Sequence, residues 1–164
     1  MGRIEKSIEI KASPEKVWEM LALDRLPEWM DVLEMKSSKF ISEVRTPKDK
    51  YRVGASAHIV EKRWEYDLEI SESLENEKIT VHSKGKHPYA ITCILNPVDD
   101  GTKLMYVSDY ESKGILGKAF VKLFAGTLEK QVERALEKLK SILEKQMLTR
   151  RQQLLDVKRV KIQR

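Results

Sequence analysis

The residues of this sequence that could do chemistry are few, and their spacing predicts neither a metal site nor a nucleophile. Cys93 is the only cysteine, and the histidines are His58, His82 and His87. A zinc site needs three or four converging ligands. His82 and His87 are five residues apart and fall on opposite faces of an unbroken strand. A lone cysteine on a strand is typical of a small buried residue. We therefore expect no metal and no cofactor.

The carboxylates give no acid–base pair either. General acid–base catalysis needs a carboxylate or a histidine inside a pocket. Asp109 falls on the same face of its alternating strand as Lys103 and Glu111, so we expect it to face solvent. Glu61 falls at a predicted hairpin and is expected to be solvated. The sequence contains no Ser–His–Asp set, nucleophile elbow or phosphate-binding loop, and it predicts no catalytic residue.

Three tyrosines fall on predicted apolar faces of strands, namely Tyr66, Tyr89 and Tyr106. A tyrosine hydroxyl that is buried needs a hydrogen-bond partner. A ligand or a water can supply that partner, and so can a neighbouring backbone group. The pattern alone leaves these alternatives open.

A G-x-x-G motif between lysines at residues 113–118 has the form of an RNA-binding loop. The order of predicted strands and helices around the motif is not that of such a domain. We therefore expect no nucleic-acid partner, and the motif indicates a flexible entry into a helix.

The elements that must position these residues begin with an alternating strand and two short helices. Ile4, Ile8 and Ile10 share one face of the strand. Ser13 and Pro14 then start a helix, because serine caps free backbone N–H groups and proline suits the first helical position. A second short helix restarts at Pro27. Alternating segments from Leu33 to Glu111 predict an antiparallel series of strands, with Gly101 at a hairpin turn that requires a positive φ.

The last third of the sequence is helical. Apolar residues recur at helical spacing on one face, and lysine and glutamate occupy the other. The pattern predicts one long helix from about Ile115 to Met147, with Gly126 as a place where it can bend.

Length and composition limit the class of protein. The chain has 164 residues, about one domain, of which 41% are hydrophobic and 35% charged. This composition is typical of a globular protein and excludes a wholly disordered chain. No apolar run approaches the ~20 residues of a membrane helix, and the N-terminus shows no secretory signal. With one cysteine no internal disulfide is possible, and we expect a cytoplasmic protein.

The net charge of +5 comes from the C-terminus. Residues 149–164 contain six basic residues and one acid, whereas residues 1–148 contain 25 of each sign. We therefore divide the chain into a domain at residues 1–148 and a basic tail at residues 149–164. The tail either stays solvated, or it extends the helix and packs on a partner or an anionic membrane surface. A dimer formed through the tail is a further possibility.

The order of elements and four short segments together resemble a known superfamily. The segments are residues 12–18, 26–29, 96–102 and 136–140. They resemble the helix-grip fold of the START-like, or SRPBCC, superfamily, and most closely its polyketide cyclase/dehydrase-like proteins. The resemblance covers residues 3–147. It implies an α+β fold in which a curved antiparallel sheet of about seven strands wraps around the long C-terminal helix.

The resemblance also implies a cavity between the sheet and the long helix. Its function would be to bind or carry a hydrophobic or amphipathic small molecule, such as a lipid, an isoprenoid or a polycyclic aromatic compound. The alternatives are a cyclase- or dehydratase-like enzyme acting in the same cavity and a protein-interaction module like the chaperone activators of the superfamily. The candidate ligand-binding residues are Trp64, Tyr66, Leu68, Ile91, Cys93, Leu104 and Tyr106 on the sheet side and Phe120, Leu123 and Phe124 on the helix side.

Overall fold

A computed structural model of the protein describes residues 2–85, 88–111 and 114–163, and side chains at 114–117, 120, 121 and 124 lie outside the described part. The chain forms seven strands and three α-helices within these ranges. Their bounds are β1 Gly2–Ile10, α1 Pro14–Met20, α2 Pro27–Met30, β2 Met35–Phe40, β3 Ser56–Glu61, β4 Glu65–Leu74, β5 Lys78–Lys84, β6 Tyr89–Val98, β7 Gly101–Tyr110 and α3 Gly114–Ile162.

All seven strands belong to one antiparallel sheet. The spatial order is β1-β7-β6-β5-β4-β3-β2, so the first strand of the chain pairs with the last. Neighbours β2 to β7 follow one another in sequence, which is the series of hairpins that the alternating pattern predicts. The α+β helix-grip fold is therefore confirmed, with a curled sheet against a long C-terminal helix and two short helices after β1.

The start of α1 follows from two adjacent residues. Ser13 has an extended backbone, and its Oγ accepts a hydrogen bond from the Lys16 amide at 3.4 Å, while Pro14 occupies the first helical turn. This cap satisfies a backbone donor that the first turn leaves free. Trp18 and Val17 on the buried side of α1 join the core.

The core lies between one face of the sheet and α3. We call this side of the sheet the inner face. Every second residue of a strand points to the inner face, as Leu68 and Ile70 do on β4. The helix α3 covers the inner face with a stripe of buried apolar side chains at helical spacing. These are Val132, Ala135, Leu136, Leu139 and Leu143.

The helix α3 is longer than its pattern predicted. It continues without a break from Gly114 to Ile162, a length of 49 residues, and does not end near Met147. It is also unbroken at Gly126. Residues 149–162 are therefore helical, and their apolar side chains are exposed, among them Leu154 and Val157. No helix in the described ranges is long and apolar enough to cross a membrane.

Gly101 is needed for a different reason from the one predicted. Its φ is not positive, so the turn itself does not demand glycine. A Cβ at this position would lie 2.0 Å from the carbonyl oxygen of Ile10. The close approach of β1 to the start of β7 therefore requires a residue without a side chain.

Candidate functional site

Most of the predicted sheet-side residues lie on the inner face. The buried ones, with at most 8% of their surface exposed, are Leu68, Ile91, Cys93, Leu104 and Tyr106. Tyr66 is half-buried and packs against the same core cluster. The structure thus brings these six residues to one side of the sheet, over strands β4, β6 and β7. Their contact with a ligand stays a prediction.

The register of β6 and β7 fixes the centre of this surface. Cys93 lies opposite Tyr106, and Leu95 opposite Leu104. Burial raises the pKa of the Cys93 thiol to about 12. It also raises the pKa of the Tyr106 hydroxyl above its usual range, against a smaller opposing effect of its hydrogen bond with Ser108. Both groups therefore stay protonated at neutral pH, and Cys93 lacks the thiolate that a nucleophile needs.

Three side chains at one end of the inner face form a hydrogen-bonded set, which we call the Glu–Tyr–Tyr network. The Tyr66 hydroxyl donates to Glu61 Oε1, and the Tyr89 hydroxyl donates to the Tyr66 oxygen at 2.6 Å. The two rings meet edge to face, with centroids 5.6 Å apart at an interplanar angle of 80°. Edge-to-face contact is a favourable arrangement for aromatic rings. The network therefore has a defined geometry.

Burial changes the protonation behaviour of all three members of the network. It raises the pKa of Tyr66 and of Tyr89, so both keep their protons. It also raises the pKa of Glu61, and the hydrogen bond from Tyr66 partly offsets this effect. A carboxylate that accepts a hydrogen bond while half-buried is the group that acid–base chemistry or polar recognition would use.

The position of Glu61 differs from the expectation that it is solvated. It ends β3 on the same side as Ala57 and Ile59, both of which are buried. The alternation of Ala57, Ile59 and Glu61 was the signal for this placement, and assigning Glu61 to the hairpin hid it. The register then puts Ile59 opposite Tyr66, which brings Glu61 within reach of the tyrosine.

Polar groups cluster at the same end of the inner face. Ser83 is buried, and its Oγ accepts a hydrogen bond from the Tyr89 amide at 2.9 Å. Ser108 is also buried and lies opposite Ile91. Most of the other buried residues of the inner face are apolar, among them Leu68, Ile70, Ile79, Leu95 and Leu104. Two polar exceptions are Ser38 on β2 and Thr102 at the far end of β7, whose hydroxyl donates to the Ala12 carbonyl. The surface is thus amphipathic along its length.

Four of the predicted ligand-binding residues are not part of the described inner face. Trp64 precedes β4 and is 53% exposed, because the strand begins one residue later than the alternation suggested. Leu123 lies on α3 and is 78% exposed. The side chains of Phe120 and Phe124 lie outside the described residues. A role in ligand binding stays a prediction for these four.

The outer face of the sheet carries paired charges. Asp109 forms an ion pair with Arg3 at 2.7 Å, so its predicted outward orientation is confirmed. His58 Nδ1 lies 2.9 Å from Asp67 Oδ1. Within the described ranges, which leave out His87, no three histidine, cysteine, aspartate or glutamate side chains converge as metal ligands do.

Two surface concavities lie away from the inner face. One, of about 430 Å³, lies where α3 passes α1, and its lining includes Lys16, Lys145, Met147 and Arg150. The other, of about 500 Å³, lies beside the start of β2. The first is lined by more cations than carboxylates and adjoins the basic end of α3.

The comparisons with known proteins agree with this architecture. Residues 1–144 match the model of a family described as polyketide cyclase / dehydrase and lipid transport. No curated protein matches the sequence significantly.

Solved structures with low identity share the fold. The protein MLL2253 from Mesorhizobium loti is 18% identical, with a TM-score of 0.67 over 88% of this chain and 98% of its own. The Aha1 dimer from Colwellia psychrerythraea is 20% identical, with a TM-score of 0.64 over 88% and 97%. TTHA0849 from Thermus thermophilus is 20% identical, with a TM-score of 0.64 over 85% and 95%.

Proposed function

The chain belongs to the polyketide cyclase / dehydrase and lipid transport family, and from this premise we propose that it binds or carries a hydrophobic or amphipathic small molecule. The ligand would lie between the inner face and α3. Lipids, isoprenoids and polycyclic aromatic compounds have the required chemistry. The observation that carries the proposal is the amphipathic inner face, apolar along most of its length and polar where Glu61, Tyr66 and Tyr89 meet.

The driving force would be removal of apolar surface from water. Burial of apolar surface contributes about 25 cal/mol per Å², which favours any ligand whose apolar body covers the inner face. A few fixed polar groups then orient such a ligand, as in most small-molecule sites. Tyr66 and Tyr89 are half-buried, and their hydroxyls would serve this purpose.

Native mass spectrometry of gently purified protein tests the proposal. We expect a stoichiometric adduct, whose identity is then read after organic extraction. The variants Tyr106→Leu and Phe120→Ala should retain less of it. Met105→Ala is the matched control, because Met105 is the neighbour of Tyr106 on the opposite face of β7. A protein without adduct that takes up no apolar ligand would contradict the proposal and favour an interaction module.

A second candidate function is a cyclase- or dehydratase-like reaction in the same place. The observation that favours it is Glu61, an ionisable side chain at the inner face that accepts a hydrogen bond from Tyr66. A group in this position can take up a proton from a bound molecule held in a folded pose. Recovery of an extracted ligand that is chemically changed after incubation with the wild type, but not with Glu61→Gln, would distinguish an enzyme from a carrier.

The end of α3 is proposed to contact an anionic membrane surface. Residues 149–162 are helical and include five basic residues among exposed aliphatic side chains such as Leu154 and Val157. Basic residues near anionic lipid each contribute about 1 kcal/mol. The full chain should sediment with phosphatidylglycerol vesicles more than a chain ending at Leu148 does. Light scattering of both proteins tests the other possibility, a dimer formed through the same helix. A cytoplasmic location is part of this proposal.

A further inference from the structure

Resting on the proposed function, we infer that the Glu–Tyr–Tyr network selects ligands whose polar end is a hydrogen-bond donor without negative charge, such as a hydroxyl. Such a ligand would donate a hydrogen bond to the Tyr89 oxygen. Ethers, carbonyl compounds and carboxylates of the same apolar body would bind less tightly.

The direction of the hydrogen bonds carries this inference. An ionised carboxylate can only accept hydrogen bonds, whereas a phenolic hydroxyl has one proton to donate. The single proton of Tyr66 goes to Glu61 Oε1. The bond between the tyrosines therefore has to use the proton of Tyr89, whose oxygen lies 2.6 Å from that of Tyr66. Tyr89 has no proton left for a ligand, and its oxygen can only accept.

The Tyr89 oxygen keeps acceptor capacity for such a bond, because a hydroxyl oxygen has two lone pairs. Tyr89 is half-buried and packs against the core cluster. Its amide is already bound to Ser83 Oγ at 2.9 Å, which fixes the backbone. Among the described residues, Tyr66 is the only partner of the Tyr89 hydroxyl. A ligand hydroxyl is thus a suitable second partner.

The charge of Glu61 adds a second criterion. Among the described residues Glu61 takes part in no ion pair. The negative charge of the Glu61 carboxylate is therefore stabilised by the Tyr66 hydroxyl and by solvent. A ligand carboxylate placed beside Tyr89 would meet this charge at short range and be repelled. Neutral hydroxyl compounds avoid the repulsion.

A matched set of fluorescent probes tests the inference. The probes are pyrene, pyrenemethanol, the methyl ether of pyrenemethanol, and pyrenecarboxylate, each titrated into the full-length protein at mildly alkaline pH. They share one apolar body and differ in the polar group. One hydrogen bond is worth about 1 kcal/mol, so we expect the alcohol to bind roughly fivefold more tightly than the ether. The carboxylate should be the weakest of the four.

Variants connect the preference to the network. Tyr89→Phe removes the acceptor and should bring the alcohol to the affinity of the ether. Glu61→Gln supplies an amide that both donates and accepts, so it should reduce the preference for the alcohol and improve binding of the carboxylate. Tyr51→Phe is the matched control, because Tyr51 lies outside the network and its hydroxyl donates to the Glu19 carbonyl. Circular dichroism of each variant checks that it is folded.

The possible results separate the two proposals. If the probes bind and the alcohol preference is lost in Tyr89→Phe, the inference is supported. If pyrene binds and the alcohol and ether bind equally to the wild type, the inference is overturned while the proposed function stands. If no probe binds, pyrene included, both are overturned.

Discussion

Replacing Gly101 with alanine should strongly destabilise the fold, because β1 and β7 meet at this residue. An alanine Cβ would lie 2.0 Å from the Ile10 carbonyl oxygen and 3.0 Å from the Ala12 nitrogen. Both are backbone atoms, so no side-chain rotation relieves the contact. The pairing of Ile10 with Thr102 would have to open.

The expected cost can be worked from the groups involved. Overpacking of this kind costs about 1–3 kcal/mol. Opening the strand pair also disturbs the buried hydrogen bond from Thr102 Oγ1 to the Ala12 carbonyl, at 2.8 Å, and a buried donor left without a partner costs about 1–3 kcal/mol. We expect a total of about 3 kcal/mol, which in a domain of this size lowers the Tm by about 6–12 °C.

Thermal and urea denaturation of three glycine variants measure this effect. At Gly126, inside α3, a Cβ meets no atom within 4 Å, so alanine should stabilise the helix by up to about 1 kcal/mol. At Gly54 the space is also open but φ is 89°, and backbone strain should cost about 1 kcal/mol. A loss at Gly101→Ala no larger than that at Gly54→Ala would refute the steric reasoning.

Two further predictions concern single ionisable groups. Cys93 should not react with a thiol reagent such as iodoacetamide in the native protein near neutral pH, because burial raises its pKa to about 12. Once urea is added, it should react at the rate at which the protein unfolds. Fast labelling of the native protein would contradict the burial of Cys93. The hydrogen bond with Asp67 raises the pKa of His58 in the folded protein. Protonated His58 should therefore stabilise the fold at pH values below its pKa in the unfolded chain, about 6.5. This stabilisation should be lost as the pH rises through the pKa of His58 in the folded protein. The difference in urea midpoint between wild type and His58→Asn should therefore be larger near pH 5.5 than near pH 8.5, and an equal difference at both would contradict the assignment.

Local sequence patterns predicted most of the strands and helices and the buried face of each strand. Alternation assigned Leu68, Cys93, Leu104 and Tyr106 to the buried side of their strands, and all four are buried. Ser13 and Pro14 marked the start of α1. These predictions succeed because they depend on neighbours a few residues apart, where the strand repeat and the helix cap act. The order of elements then led to the resemblance and to the fold.

The end of α3 differs from the predicted helix end near Met147. The change from a neutral to a basic segment near Leu148 divides the chain by charge, and a division into domain and tail stays a prediction. No glycine or proline follows Gly126 in the sequence, and charge alone does not stop a helix whose residues favour helical structure. The helix therefore continues to Ile162.

Contacts between residues far apart in the chain follow from the folded sheet and not from local patterns. Gly101 needs to be glycine because β1 lies against it, a contact across 91 positions that a turn pattern does not contain. Glu61 became part of the candidate site because the register of β3 and β4 places it beside Tyr66, and Tyr89 joins from β6. A slip of one residue in either register would reverse these faces. Register is set by packing over the whole sheet, so the chemistry of the site lies beyond what local patterns predict.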